Sequence, residues 1–215
     1  LAAGRKPVLR DAGPFPAAPA ASGGRQEVRF CKAADGAQIA FATVGEGPPL
    51  LKTANWLNHL EYDWDSPVWR HIFSGLADGR QLIRYDARGN GLSDWDVADF
   101  SFQSMVSDLE AVVAATGLER FPLLGISQGC AVGVEYAVRH PEKVSRLILV
   151  GGYARGWALA DSADYVEQTQ AMLALIRSGW GRNIPAFRQL FTALFMPFAP
   201  PENQEWFNEL QRIST

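Results

Sequence analysis

The stretch that decides the fold is Phe121-Pro122-Leu123-Leu124-Gly125-Ile126-Ser127-Gln128-Gly129-Cys130-Ala131. Its first six residues are mostly apolar and predict a buried strand, and the residues from Cys130 to Arg139 predict a helix. The Gly-x-Ser-x-Gly pattern of residues 125–129 therefore lies where a strand turns sharply into a helix, which is the setting of a nucleophile elbow. The sequence predicts that this turn presents the hydroxyl of Ser127 as an attacking group.

The two glycines of the pattern have a steric purpose in such a turn. The serine takes a strained backbone conformation, and small residues two before and two after it keep side chains away from the adjacent strand and helix. Gly125 and Gly129 meet that need. The following helix points its free N–H groups at the serine oxygen and at any oxyanion formed beside it. A glycine-rich turn with an idle serine is the alternative interpretation.

Upstream and downstream of this turn, short strand-like runs alternate with amphipathic helices, which is typical of a mostly parallel sheet covered by helices. Strands are predicted at 27–32, 38–43, 49–53, 81–85, 121–126 and 144–150, and helices at 67–79, 101–117 and 130–139. Ala34-Asp35-Gly36 predicts a tight turn that joins the first two strands as an antiparallel hairpin. The sequence thus predicts an α/β fold with its core at residues 26–152.

Three consecutive helical patterns, at 163–178, 184–196 and 202–213, follow the last predicted strand. We expect them to form an inserted helical cap over residues 153–215, with an aromatic inner face. The residues predicted to form that face are Phe187, Leu190, Phe191, Leu194, Phe195, Trp206, Phe207 and Leu210. Packing against the sheet domain alone is the alternative to a ligand-binding role for these side chains. Residues 1–25 are rich in Ala, Pro and Gly and are predicted to be a linker.

The composition excludes several classes of function. The net charge of −3 offers no excess of Lys or Arg for a phosphate backbone or an anionic membrane, so no nucleic-acid partner is expected. Cys31 and Cys130 are far apart and show no metal-ligand spacing, so neither a metal site nor a disulfide is predicted, and nothing indicates a cofactor. No apolar run reaches the ~18 residues that span a bilayer, and no signal-peptide core is present. We therefore expect a cytoplasmic protein that acts on a small molecule.

Residues 26–215 resemble the α/β-hydrolase fold family. Besides the elbow, the segment Asp86-Ala87-Arg88-Gly89-Asn90-Gly91-Leu92-Ser93 is similar to the Asp-x-Arg-Gly-x-Gly-x-Ser segment of that family. The resemblance implies that Ser127 is the nucleophile and that Gln128 supplies one N–H of an oxyanion hole. The second N–H would come from Ala54-Asn55-Trp56, which stands where the family has His-Gly and the donor. Trp56 is the predicted donor, and Asn55 is the alternative.

The same segment contains two charged residues that need a role. We expect Asp86 and Arg88 to brace their loop by hydrogen bonds and a charge pair, not to take part in chemistry.

A serine hydroxyl needs a histidine to take its proton, and the chain has three. His140 lies near the far end of the helix after Ser127, roughly 20 Å away at ~1.5 Å per residue. His71 lies within a predicted helix, and His59 is expected to be structural, with a catalytic role as the alternative. In the family the acid and base follow the cap. Since the sequence ends inside the predicted cap, we expect both groups and the last strands outside these 215 residues, and little activity from this chain alone.

A narrower resemblance concerns the run from Asn55 to Trp69 and the segment Leu92-Ser93-Asp94-Trp95-Asp96. These are similar to the α/β-hydrolase domains of bacterial multidomain transcriptional regulators and nucleotide cyclases. The resemblance implies that the predicted linker could tether a fused effector domain. Two hypotheses follow. The first is a serine hydrolase that cleaves a small ester, lactone or amide, and the second is a ligand-sensing regulatory domain with little or no turnover.

Overall fold

The computed structural model describes residues 24–156, Leu159 and residues 162–214. The predicted linker lies outside the described residues except for its last two positions, so that interpretation stays a prediction. The strands are β1 (Glu27–Lys32), β2 (Gln38–Val44), β3 (Pro49–Lys52), β4 (Gln81–Tyr85), β5 (Phe121–Ile126) and β6 (Val144–Val150). The helices are α1 (Leu60–Trp64), α2 (Arg70–Ala77), α3 (Phe102–Thr116), α4 (Gly129–Arg139), α5 (Ala163–Gly179), α6 (Pro185–Phe195) and α7 (Pro201–Ile213).

The six strands form one sheet in the order β1-β2-β4-β3-β5-β6. The β1–β2 hairpin is antiparallel, as is the β2–β4 pair, and the three remaining pairs are parallel. This arrangement confirms the predicted α/β fold with a mostly parallel sheet. The strand order reverses around β3, where β4 and β5 flank it, and the carboxyl ends of these strands form the crevice in which open α/β sheets usually bind ligands.

Each face of the sheet is covered by helices, because successive residues of a strand point to opposite sides. Leu51 and Leu123 pack with side chains of α3 and α4 in one buried cluster. Their neighbours Leu50 and Leu124 pack with Phe73 of α2 in another. None of the helices in the described ranges is both long and apolar enough to cross a membrane.

One short helix is absent from the sequence prediction. Helix α1 has only five residues, too few to produce a periodic apolar pattern. It is fixed by reciprocal capping, since the His59 side chain accepts from the Tyr62 N–H at 3.3 Å and the Asp63 carboxylate accepts from the His59 N–H at 3.1 Å.

The next helix begins three residues later than predicted. Ser66 does act as a cap, but its hydroxyl accepts from the Trp69 N–H and its carbonyl accepts from the Arg70 N–H. These bonds close a turn over residues 67–69, and the regular helix starts only after it.

The aromatic face predicted for the last three helices is only partly correct. Phe187 and Phe191 are buried with Leu57 of the core, together with Trp206, Phe207 and Leu210. Leu190, Leu194 and Phe195 are instead 47%, 51% and 59% exposed. Helix α6 is buried through Phe187, Phe191 and Thr192, so the neighbouring stripe that holds the two leucines faces away from the packed side.

Arg88 ties the loop after β4 to two other parts of the core. Its side chain is fully buried and makes a bidentate pair with Asp108 of α3, with N···O distances of 2.9 and 2.6 Å. It also pairs with Asp35 of the hairpin turn at 2.7 Å. The predicted bracing is therefore present, and the partners of the arginine are Asp108 and Asp35.

Asp86 braces the same loop in a different way. Its carboxylate accepts hydrogen bonds from the Asn58 amide at 2.6 Å and from the backbone N–H groups of Leu60 and Leu92 at 3.2 and 2.9 Å. These bonds connect the loop after β4 to the loop after β3, which contributes to the candidate site.

We expect Arg88→Met to lower the free energy of unfolding by about 3 kcal/mol, because it leaves the buried carboxylate of Asp108 without a partner. Arg29→Met is the matched control, since the Arg29–Glu27 pair is exposed and its loss costs less than about 1 kcal/mol. Urea denaturation of both variants measures the difference. Equal stabilities of the two variants would contradict the bracing role.

Candidate active site

Ser127 stands at the tip of the turn between β5 and α4. Its φ is 53°, in the left-handed region that residues with a side chain rarely adopt, and it is exposed. The Ser127 N–H donates to the Val150 carbonyl at 2.9 Å, and its own carbonyl accepts from the Cys130 N–H at 3.0 Å. The serine is thus held from β6 on one side and from α4 on the other, with its side chain free to meet another molecule.

The glycines that flank the serine leave no space for larger residues. A Cβ at Gly129 would lie 2.3 Å from the Thr53 hydroxyl oxygen and 2.5 Å from the Ala54 carbonyl oxygen. A Cβ at Gly125 would lie 2.8 Å from the Cys130 Cα. The steric requirement derived from the sequence is therefore present at both positions.

Thr53 connects the turn to the loop after β3. The residue is fully buried, and its hydroxyl lies 3.0 Å from the Gly129 carbonyl oxygen. Its N–H donates to the Leu124 carbonyl of β5 at 2.9 Å. These contacts place the loop of residues 54–57 directly against the start of α4.

The two N–H groups predicted to bind an oxyanion, those of Gln128 and Trp56, are free of hydrogen bonds to any group in the described part of the chain. Both residues line one cavity of about 450 Å³ beside the turn. Asn55 lines it too, so the alternative donor stays open. An N–H without a hydrogen-bond partner can bind an oxyanion without first losing a hydrogen bond.

The cavity takes most of its lining from the core. Its apolar wall contains Trp95, Phe100 and Met105, and Asn90 contributes a polar group. Helices α5–α7 contribute no residue to it, although the sequence predicts a binding site under their aromatic face. The buried aromatic side chains of these helices pack among themselves and against the loop after β3, and they are Phe187, Phe191, Trp206 and Phe207.

Trp56 is the point at which these helices reach the site. Its ring lies 5.4 Å from that of Trp180 and 5.7 Å from those of Phe191 and Phe195, measured between centroids. The next residue, Leu57, is buried and has a φ of 52°, the one other positive value among described residues that are not glycine. Backbone strain is thus concentrated at the turn and at this loop.

The three histidines have other surroundings. His59 caps α1 through its side chain and lines a separate cavity with Tyr62. His140 lies at the end of α4, and its ring nitrogen is 2.9 Å from a carboxylate oxygen of Glu110. His71 is exposed on α2. Among the residues that the structure describes, no group of His, Cys, Asp and Glu side chains is arranged to hold a metal ion.

A cluster of buried charges lies beneath the loop after β3, and the sequence interpretation identified only its member Asp86. Lys52, Asp63, Arg84 and Asp86 are each at most 4% exposed. Burial raises the pKa of Asp63 to about 6 and that of Asp86 to about 7. Burial, followed by the positive charge of Arg84, lowers the pKa of Lys52 to about 7. The available signal was a lysine at the end of the otherwise apolar run Pro49-Leu50-Leu51.

We expect Gly129→Ala to destabilise the protein by about 3 kcal/mol, because the new methyl group overlaps Thr53 and the Ala54 carbonyl. Gly133→Ala, one turn further along α4, is the matched control. Its Cβ would meet side-chain atoms only at 3.6 Å or more, and alanine favours a helix by up to about 1 kcal/mol over glycine. Thermal unfolding distinguishes the two, and equal effects would contradict the close approach at Gly129.

Comparison with known proteins agrees with this architecture. The sequence profile of the alpha/beta hydrolase fold matches residues 57–198. RutD from Azorhizobium caulinodans, provisionally named a carbamate hydrolase, is 32% identical over 119 residues, which cover 55% of this chain and 43% of RutD. YisY from Bacillus subtilis, named an AB hydrolase superfamily protein, is 26% identical over 185 residues, which cover 84% of this chain and 66% of YisY.

A solved structure gives the same result. The esterase EaEST from Exiguobacterium antarcticum superposes with a TM-score of 0.64 at 27% identity, over 85% of this chain and 66% of EaEST. The chain thus spans between 43% and 66% of the length of these three proteins. From its sequence profile, strand order and strand-turn-helix junction, the chain belongs to the α/β-hydrolase fold family.

Proposed function

We propose that this chain supplies the nucleophile and the oxyanion hole of a serine hydrolase that cleaves a small ester, lactone or amide. The observation that carries the proposal is the conformation of Ser127, which is exposed at a φ of 53° between two glycines that have no room for a side chain. Such strain persists only where the surrounding structure enforces it, and it occurs preferentially at functional sites. The hydrolase names of the relatives support the same class of reaction.

The proposed reaction follows from the groups around the turn. The Ser127 hydroxyl oxygen attacks the substrate carbonyl carbon while a base takes its proton, and the carbonyl oxygen becomes an oxyanion. The N–H groups of Gln128 and Trp56 bind that oxyanion. Collapse of the intermediate expels the alcohol or amine, which receives the proton, and leaves an acyl group on the serine. Water then releases the acid by the same steps and restores the hydroxyl.

We place the base and the acid outside these 215 residues. Each of the three histidines is either engaged elsewhere or exposed on α2, and the matched part makes up only 66% of YisY and 66% of EaEST. The exposed edge strand β6 supports this arrangement, since Ile148, Leu149 and Val150 are 40%, 46% and 51% exposed. Parallel strands are normally covered by helices on both faces, so further strands that pair with β6, together with the helices that connect them, would bury these side chains.

The cavity beside Gln128 favours a substrate of modest size and low charge. Its wall combines the apolar side chains of Trp95, Phe100 and Met105 with the amide of Asn90. Arg88 also borders it, but its guanidinium is neutralised by Asp108 and Asp35, so it offers no free charge to an anionic substrate. An uncharged ester, lactone or amide with a short apolar group matches these surroundings.

The second candidate is a ligand-sensing domain with little turnover, fused to an effector domain. The contacts of Trp56 with Trp180, Phe191 and Phe195 favour it, because they connect the loop at the cavity to helices α5 and α6. In that case a bound ligand would shift these helices relative to the core. Binding of an ester by the intact wild-type protein without cleavage of that ester would support this role over turnover.

Fluorophosphonate labelling tests the hydrolase proposal. We expect the intact protein to be labelled on Ser127, and Ser127→Ala to abolish the labelling because, among the serines that the structure describes, Ser127 alone has the left-handed conformation of such a turn. Ser178→Ala, on the exposed side of α5, is the matched control and should be labelled normally. A folded intact protein that stays unlabelled would contradict the proposal.

We expect the 215-residue chain alone to hydrolyse esters roughly 10⁴- to 10⁶-fold more slowly than the intact protein, because in this proposal the base lies outside the chain.

A further inference from the structure

The loop that contains Trp56 is hydrogen-bonded to the buried amine of Lys52. Lys52 is the last residue of β3 and is 4% exposed. Its ammonium group donates to the carbonyl of Thr53 at 3.0 Å and to the side-chain carbonyl of Asn55 at 2.5 Å. A side chain that would ordinarily reach solvent is therefore turned back onto Thr53 and Asn55.

Asn55 links Lys52 to Trp56 through a second hydrogen bond. With its carbonyl oxygen bound by Lys52, the Asn55 amide nitrogen donates to the Trp56 backbone carbonyl at 3.1 Å. The hydrogen bonds thus run in one direction, from the ammonium group to the asparagine and from the asparagine to the backbone of the candidate oxyanion donor. They also precede Leu57, whose left-handed conformation needs such external support.

We infer that Lys52 is a positioning residue, which sets the conformation of the loop of residues 53–57 and so aims the Trp56 N–H at the oxyanion. The assignment of the oxyanion rests on the proposed function. The control of the loop by Lys52 does not, because it rests on the contacts of Lys52 and Asn55 alone. Lys52 has no contact with substrate in this role and acts only through the loop.

The charges around Lys52 explain why a buried amine is tolerated there. Arg84 opposes its charge from β4, whereas Asp63 of α1 and Asp86 after β4 favour it, and Cys130 of α4 acts in the same sense as the carboxylates. The ring of Phe73 from α2 lies 5.9 Å from the ammonium group. Burial is the largest influence and lowers the pKa of Lys52 to about 7, so modest changes in its hydrogen bonds alter its charge near neutral pH.

Nuclear magnetic resonance of the lysine side-chain carbon next to the amine, followed through a pH titration, tests this coupling in the intact protein. A hydrogen bond from the ammonium group favours the charged form, so Asn55→Leu should lower the pKa of Lys52 further, and Asn55→Asp should raise it by adding a negative charge. If Lys52 only filled space in the core and did not depend on its hydrogen bond to Asn55, Asn55→Leu would not lower its pKa. An unchanged pKa in both variants would overturn the inference.

Amide hydrogen exchange provides the second measurement. Lys52→Met keeps a long apolar side chain but removes the donors, so exchange of the Thr53 N–H, which is the hydrogen-bonded amide among residues 53–57, should accelerate at least about tenfold while the sheet stays protected. Lys32→Met, at the exposed end of β1, is the matched control and should leave the loop unchanged. Wild-type protection of the Thr53 amide in folded Lys52→Met would also overturn the inference. Should Lys52→Met fail to fold, the two Asn55 variants decide.

The two proposals fail separately. A loop that responds to Lys52 in a protein whose Ser127 is never labelled would leave the positioning role intact and remove the hydrolase function. If Ser127 is labelled, and Lys52→Met changes neither the labelling rate nor the amide exchange of the loop, the hydrolase function would stand and the positioning role would be removed. Slower labelling together with faster loop exchange supports both.

Discussion

The start of α4 approaches the end of β3 so closely that only a hydrogen atom fits at Gly129, and the geometry of the candidate site depends on this contact. The hydroxyl of Thr53 spans the same gap to the Gly129 carbonyl. Because helix and strand cannot separate or slide here without breaking these contacts, Ser127 and the loop after β3 have a fixed relation to each other. An oxyanion hole needs this property, since its donors must be in position before charge develops.

Two residues with strained backbones belong to this arrangement, one in the turn after β5 and one in the loop after β3. Ser127 and Leu57 both have left-handed backbone conformations, each of which costs about 1–3 kcal/mol. The cost is offset locally. Hydrogen bonds with Val150 of β6 and Cys130 of α4 hold Ser127 in place. The burial of Leu57 among aromatic side chains holds the loop. Beneath the loop, the buried charges set its position, and their desolvation costs further free energy. We therefore expect these charges to select one conformation of the loop and not to raise the stability of the fold.

The sequence predicts the parts of this structure that depend on local pattern. The strand before Ser127, the two glycines and the helix after it follow from apolar periodicity and steric need, and the sheet follows from the alternation of elements. The short helix α1 escapes prediction because reciprocal capping by His59 and Asp63, not periodicity, fixes it. The orientation of Leu190 and Leu194 depends on which side of α6 is covered, and their spacing alone does not reveal this. Lys52 is missed because its importance arises from Asn55 and from distant charges.

The most direct test of the account is a crystal structure of the intact protein after reaction with a phosphonate that mimics the tetrahedral intermediate. The account predicts a covalent bond from the Ser127 oxygen to phosphorus, with one phosphoryl oxygen about 2.7–3.1 Å from both the Gln128 and the Trp56 backbone nitrogens. A phosphoryl oxygen that points to solvent, or that is bound by other donors while these two N–H groups stay unpaired, would contradict it.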